Sequence, residues 1–150
     1  MKISNSIDIN GTPAAVFRWL EKPEKAVTWM TSVTQTEILH ETSERIGTTF
    51  REVVEEDGKG TEMQGVITDY KPDKLISFHL NSRVNVVDVV YDVEAVSHGT
   101  RLTQNANVRW KFPINVISIF IGIKIKQKIA AQSQKEFRAL KELVEGSVEP

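Results

Sequence analysis

"NVVDVVYDVEAVSHGTRLTQNANVRWKFP", residues 85 to 113, decides the fold. Its first part alternates. Val87, Val89, Tyr91, Val93 and Ala95 fall on one face of an extended chain, and Asp88, Asp92 and Glu94 on the other. Ser97-His98-Gly99 marks a turn. Beyond it the alternation resumes, with Leu102, Ala106, Val108 and Trp110 on one face and Arg101, Thr103, Asn105, Asn107 and Arg109 pointing away. One polar residue, Gln104, intrudes on the apolar set. Period two on both sides of a short turn predicts an antiparallel hairpin over 85–96 and 100–111. Pro113 ends that period, and the residues beyond it have the period of a helix.

The same grammar extends upstream. Turn signals recur at Arg45-Ile46-Gly47, Asp57-Gly58-Lys59-Gly60 and Lys71-Pro72-Asp73, with β-branched and aromatic runs between them. They predict strands near 33–42, 48–56, 61–71 and 74–82. Ile76, Phe78 and Leu80 form the inner set of the last, leaving His79 outside. Phe50 and Val54 bracket Glu52, a second polar residue on an apolar face. At the N-terminus Ile3, Asn5, Ile7 and Ile9 alternate with Ser4, Ser6 and Asp8, a further half-buried strand. Asn10-Gly11 breaks it. Thr12 is a helix N-cap and Pro13 suits the first helical position, where a missing N–H costs nothing. Val16, Phe17 and Leu20 make the apolar stripe of this short helix. Pro23 stops it and opens a second, through Lys25 to Trp29.

Downstream, one long helix runs from Pro113 to about Glu145. In its second half Ile125, Ile129, Phe137, Leu140 and Val144 oppose Lys128, Gln132, Lys135, Arg138 and Glu142. The first half, with Ile114, Val116, Ile117, Ile119, Phe120, Ile121 and Ile123, is apolar around most of its circumference. It must be buried on several sides or touch something besides the sheet. Gly122 costs roughly 1 kcal/mol of helix propensity relative to alanine, so this half is the weaker one.

Composition narrows the function. The chain of 150 residues is 40% hydrophobic and 26% charged, with net charge −1, and reads as one domain over 1–150 with a core of its own. Near-neutral charge argues against a nucleic-acid partner. Without cysteine there are no disulfides, thiolate metal sites or cysteine nucleophiles. Neither a signal peptide nor a run of about 20 apolar residues is present, so the expected location is the cytoplasm, with no transmembrane segment. His40, His79 and His98 lack partners at metal-ligand spacing and read as surface histidines. "GKGTEMQG" lacks the spacing of a phosphate loop. No metal and no cofactor is expected.

The carboxylates Glu52, Glu55, Glu56, Asp57 and Glu62 surround a hairpin and read as solvated, except Glu52. Pointing inward beside Phe50, it becomes a polar handle with a raised pKa, because burial disfavours its charged form. Gln104 serves likewise without charge. The phenol of Tyr91, on the apolar face, needs a partner: a neighbouring backbone group is favoured, a ligand carbonyl the alternative.

The order of elements is strand, two short helices, six strands, long helix. One curved antiparallel sheet must then cover one long helix, and such a sheet closes imperfectly and leaves a hollow. Four stretches carry a family resemblance: "INGTPAAVFRWLEKPEKAVTWM" (9–30), "GVITDYKPDKLISF" (65–78), "GTRLT" (99–103) and "FRALKELVE" (137–145). In this order and spacing the chain resembles the START/Bet v 1-like superfamily, in its polyketide cyclase/dehydrase and lipid-transport branch. The resemblance implies an α+β helix-grip fold, a curved seven-stranded antiparallel sheet wrapped around the C-terminal helix. It places Trp29 at the base of a cavity, ring inward, with Lys22, Glu24 and Lys25 facing water.

Candidate ligand-binding residues are Trp29, Phe50, Phe78, Tyr91, Val108, Trp110, Ile117 and Ile121, with Glu52 and Gln104 as polar handles; no catalytic residue is assigned. The expected function is binding of a small hydrophobic molecule, a lipid, isoprenoid or polyketide-like aromatic, as carrier or sensor. The apolar inner face, without an evident acid–base pair, favours a non-catalytic role. The alternatives are a cyclase or dehydratase and an interaction module like the Hsp90 activators. The expected assembly is a monomer or homodimer. The Ile-rich 114–123 segment reads as plain core, pocket cover, subunit contact or transient membrane-surface contact, the last suggested by Lys124, Lys126 and Lys128.

Overall fold

A computed structural model describes residues 1–56 and 58–146, the side chains of residues 118–121 excepted. The elements are β1 (Lys2–Ile9), α1 (Pro13–Phe17), a 3-10 turn (Pro23–Lys25), α2 (Ala26–Trp29), β2 (Val33–His40), β3 (Thr49–Glu56), β4 (Lys59–Lys71), β5 (Leu75–Asn81), β6 (Asn85–Val96), β7 (Gly99–Trp110) and α3 (Ile114–Gly146). The expected helix-grip architecture is present, with element ends displaced by a residue or two.

Every strand pairing is antiparallel, and the sheet order is β1-β7-β6-β5-β4-β3-β2. Five of the six pairings are hairpins between chain neighbours. The sixth brings β1 against β7, Ile3 beside Ala106 and Ile9 beside Thr100. Register shifts interrupt β2–β3 and β4–β5. An extra residue bends its strand and steepens the twist. Gly99, at φ 144°, lets the β6–β7 turn close over the end of β1: a Cβ there would stand 2.2 Å from the Ile9 carbonyl oxygen.

The short helices form as their sequences dictate. Thr12 Oγ1 accepts from the Ala15 backbone N–H at 3.2 Å, and Pro13 follows as the first helical residue. Val16 and Phe17 are fully buried. Pro23 opens the 3-10 turn that leads into α2, whose last residue is Trp29.

The second half of α3 is the part the sheet grips. Phe137, Leu140 and Val144 are buried beside Ile9, Val16, Phe17 and Leu102. Val144 lies over Gly11, where a Cβ would be 3.0 Å from its Cγ1. Polar ties to the N-terminal strand fix the depth of the helix. Gln134 donates to Asn5, Lys141 Nζ donates to the Asp8 carbonyl at 2.8 Å, and Glu145 accepts from the Asn10 backbone N–H at 2.9 Å. The first half is different. Val116 and Ile117 are about half exposed and Ile123 more so, as is Phe112 just before the helix. Of the four readings of this segment, plain core fails for these residues. The interior is thus solid under the C-terminal turns of α3, from Phe137 to Val144, and hollow beneath Ile129, Ser133 and Glu136.

Candidate functional site

The hollow has a volume of about 240 Å³ and lies between the concave face of the sheet, the 3-10 turn with α2, and α3. Its wall is chiefly apolar, with a chain of aromatic rings set among aliphatic side chains. Phe50 from β3 meets Phe78 from β5 edge-on, ring centres 5.7 Å apart. Phe78 meets Tyr91 from β6 at 6.3 Å. Tyr91 in turn touches Trp29 at 6.3 Å and Phe137 at 6.4 Å. The alternation of each strand delivers one ring to this face, and the lateral order of the strands brings the rings into contact. Trp29 is 3% exposed, and its indole N–H donates to the Trp19 carbonyl at 3.3 Å. Its ring is therefore held in place while its face borders the cavity. Val108 and Trp110 of β7 complete the wall.

Polar groups on this wall are few, and several lack partners. Tyr91 and Gln104 are direct neighbours across β6 and β7. The Gln104 amide donates to the Tyr91 hydroxyl at 3.1 Å. The favoured expectation of a backbone partner for Tyr91 is thus corrected: cross-strand register sets a side-chain amide directly beside the phenol. Burial raises the Tyr91 pKa above the usual phenol value, so the hydroxyl keeps its proton. That proton does not reach Gln104 Oε1, an acceptor that is buried without a partner. Trp110 Nε1 is likewise buried and unpaired. Buried polar atoms normally find hydrogen bonds, so orphans along one cavity mark where a guest's polar groups would satisfy them.

Glu52 of β3 points inward and is 7% exposed. Its pKa is pushed up to about 7, first by burial and then by the negative charge of Glu136. No hydrogen bond from the described residues reaches its carboxyl. Glu136 comes from α3 and is better provided. One of its oxygens accepts from the Ser32 backbone N–H at 3.3 Å, the Ser32 hydroxyl at 3.2 Å and the Gln132 amide at 3.1 Å. The fold thus sets two carboxyl groups, one from β3 and one from α3, on the lining of a single cavity. Chemically, such a pair can hold a proton on one member and accept one on the other.

The structure brings Trp29, Phe50, Glu52, Phe78, Tyr91, Gln104, Val108 and Trp110 onto this one cavity wall. Ile117 is not on it. That expectation is corrected, because the helix meets the sheet only further along and leaves Ile117 53% exposed. Ile121 lies outside the residues whose side chains are described. Sequence reasoning missed Ile129, Ser133 and Glu136, the contribution of α3. A signal existed: positions 129, 133 and 136 share the helix face of Phe137 and Leu140. Lys22 and Glu56, both less buried than Glu52, sit at the rim.

Elsewhere the titratable groups make surface pairs. His79 Nδ1 lies 2.7 Å from Asp88, and His98 Nε2 lies 3.1 Å from Asp8, which also pairs with Arg101. Among the described residues no group of three or more His, Cys, Asp or Glu side chains is placed to hold a metal ion. None of the described helices is long and apolar enough to cross a membrane.

The family profile described as polyketide cyclase / dehydrase and lipid transport matches residues 1–145. No curated protein matches the sequence. Solved structures share its fold at low identity. A protein from Thermus thermophilus superposes with a TM-score of 0.84 at 14% identity, covering 99% of this chain and 100% of its own. A START superfamily protein from Mycobacterium smegmatis gives 0.82 at 15%, covering 98% and 99%. The Zhui aromatase/cyclase from a Streptomyces species gives 0.73 at 11%, covering 95% of each chain.

Proposed function

We propose that this chain, which belongs to the polyketide cyclase / dehydrase and lipid transport family of the START/Bet v 1 superfamily, binds one small and mostly apolar molecule in its internal cavity, as a cytoplasmic carrier or sensor. The observation that carries this reading is the aromatic wall of Phe50, Phe78, Tyr91 and Trp29 around a space that the side chains leave open. Burying apolar guest surface there contributes roughly 25 cal/mol per Å². Tyr91, Gln104 and Trp110 set its orientation through their polar atoms, two of which are unpaired. A lipid fragment, an isoprenoid or a polyketide-like aromatic meets these demands. Native mass spectrometry of protein purified from its own host tests the reading. A co-purifying small molecule displaced by apolar competitors is the expected result. Protein that carries no guest and takes up no apolar probe overturns it.

A second reading, a cyclase or dehydratase, is favoured by one observation, the inward pair Glu52 and Glu136. A protonated Glu52 would give its proton to a departing hydroxyl while Glu136 takes one from the neighbouring carbon, so that water leaves and a double bond forms. Loss of turnover in Glu52→Gln with guest binding retained would support it. A protein-interaction module calls for a collapsed interior, and a hollow of about 240 Å³ weighs against that.

Transient contact with a membrane surface fits the carrier reading. From Arg109 to Lys135 the chain has no acidic residue, and Phe112, Ile117 and Ile123 are exposed in that same stretch. Apolar side chains among lysines suit the interface of an anionic bilayer.

A further inference from the structure

The charge inside the cavity has one sign. The charged residues on its wall are Lys22, Glu52, Glu56 and Glu136. Lys22 and Glu56 lie at the rim, open to water, where salt screens them. Within remain two carboxyl groups and no cation. Buried charges are ordinarily paired, because an unpaired one gives up its hydration without return. Glu136 is partly provided for by Ser32 and Gln132. Glu52 is not, and its burial is nearly complete. The protein thus holds a carboxyl group at the edge of ionisation, facing an apolar hollow, with its counter-charge missing.

Building on the binding function proposed above, we infer that the cavity selects an apolar guest whose head is a protonated amine, held between Glu52 and Glu136, and discriminates against guests ending in a carboxylate. A guest ammonium supplies the absent cation and up to three N–H donors. Its apolar body lies along Phe50, Phe78 and Trp29. A fatty-acid carboxylate would bring a third negative charge to the same place. A neutral alcohol falls between, offering one donor and no charge.

The pairing has a proton signature. Glu52 in the free protein is partly protonated near neutral pH, since its pKa is about 7. An ammonium beside it favours the ionised form and expels that proton. Amine affinity therefore rises with pH up to about 7 and levels off above. The groups facing Glu52 are Glu136 of α3, Tyr91 of β6, Glu56 of its own strand and Lys22 at the rim; β2 and β4 bring Val33 and Met63 to this wall. Glu136 adds to the attraction. Tyr91 stays neutral through the range, its pKa being raised.

The test compares decylamine, decanol and decanoate, three probes of one length, by tryptophan fluorescence and calorimetry at pH 6 to 8. At pH 8 decylamine is expected to bind about tenfold or more tightly than decanol, the scale of a charge-assisted hydrogen bond, with decanoate weakest. Glu52→Gln should retain decanol binding, reduce the amine's advantage severalfold and flatten its pH dependence. Glu136→Gln should reduce that advantage while keeping a slope with pH. Equal affinity for amine and alcohol, or an amine preference unchanged in both variants, overturns the inference and leaves the binding function standing. Failure of all three probes overturns both.

Discussion

The ring of Phe50 stands where a Cβ on Gly65 would be, its nearest atom 2.3 Å from that position. The two residues face each other across β3 and β4, and the absent side chain of one is the seat of the other. Gly65→Ala must drive the ring toward Phe78 and the cavity. Overpacking of this kind costs about 1–3 kcal/mol. The expected outcome is a lower urea midpoint together with weaker uptake of bulky apolar probes. An unaltered midpoint with full uptake would show that the ring is not seated there.

Glu52 makes stability depend on pH with a defined sign. Its pKa is about 7 in the fold against 4.5 as an ordinary glutamate. Between those values the folded protein binds more protons than the unfolded chain, so this group's contribution declines as pH rises from 4.5 to 7. The contribution is intact below 4.5 and lost above 7, to the extent of about 3 kcal/mol. Glu52→Gln, which resembles the protonated form, should therefore be more stable than wild type at pH 8 and equal to it near pH 4.5. Denaturant titrations at the two pH values measure the difference; a variant less stable at pH 8 contradicts the assignment.

Tyr91 and Gln104 satisfy part of each other's needs. Tyr91→Phe leaves the Gln104 amide buried without an acceptor, at a cost of about 1–3 kcal/mol. Gln104→Leu leaves the phenol unpaired at a similar cost. Removing both is expected to cost less than the sum, and a double-mutant cycle reads the coupling. Strict additivity would mean that the bond contributes nothing.

The grip on α3 is uneven along its length. Phe137, 1% exposed and in contact with the rings of Trp29 and Tyr91, should cost about 3–5 kcal/mol as Phe137→Ala. Ile123, 77% exposed, should change stability by less than about 0.5 kcal/mol as Ile123→Ser. Thermal melts of the two variants separate the halves, and a large loss from Ile123→Ser would show that the first half is covered in solution.

Membrane contact has its own test. The protein should sediment with vesicles containing phosphatidylserine at low salt and be released by high salt, since each lysine near an anionic surface contributes about 1 kcal/mol and salt screens it. Combined Phe112→Ser and Ile123→Ser should weaken sedimentation without changing the melt. Equal association with neutral vesicles would argue against the charge component.

Much of the molecule was legible in the chain. Alternation placed Glu52 and Gln104 among apolar residues, and both do face the hollow. Proline and glycine punctuation located most of the hairpins. Reading failed where periodicity carries no information. Ile117 is as apolar as Phe137, yet one is exposed and the other buried; the run 114–123 is apolar around most of its circumference, so its pattern does not say which side the sheet covers. Glu136 reads as one charge among many on α3. Its place on the same cavity lining as Glu52 joins positions far apart in the chain, and a one-dimensional pattern does not encode that.

The local order of polar and apolar residues, with its capping and turn chemistry, by itself determined which segments are strands or helices and which face of each is wet. Those preferences act between near neighbours and need no knowledge of the whole. Only the tertiary structure decided that the interior is solid at one end and hollow at the other, that two carboxyl groups share the hollow, and that Val116, Ile117 and Ile123 of α3 stand uncovered. Each is a sum over the curvature of seven strands and the depth at which one helix sits, and neither quantity belongs to any single segment.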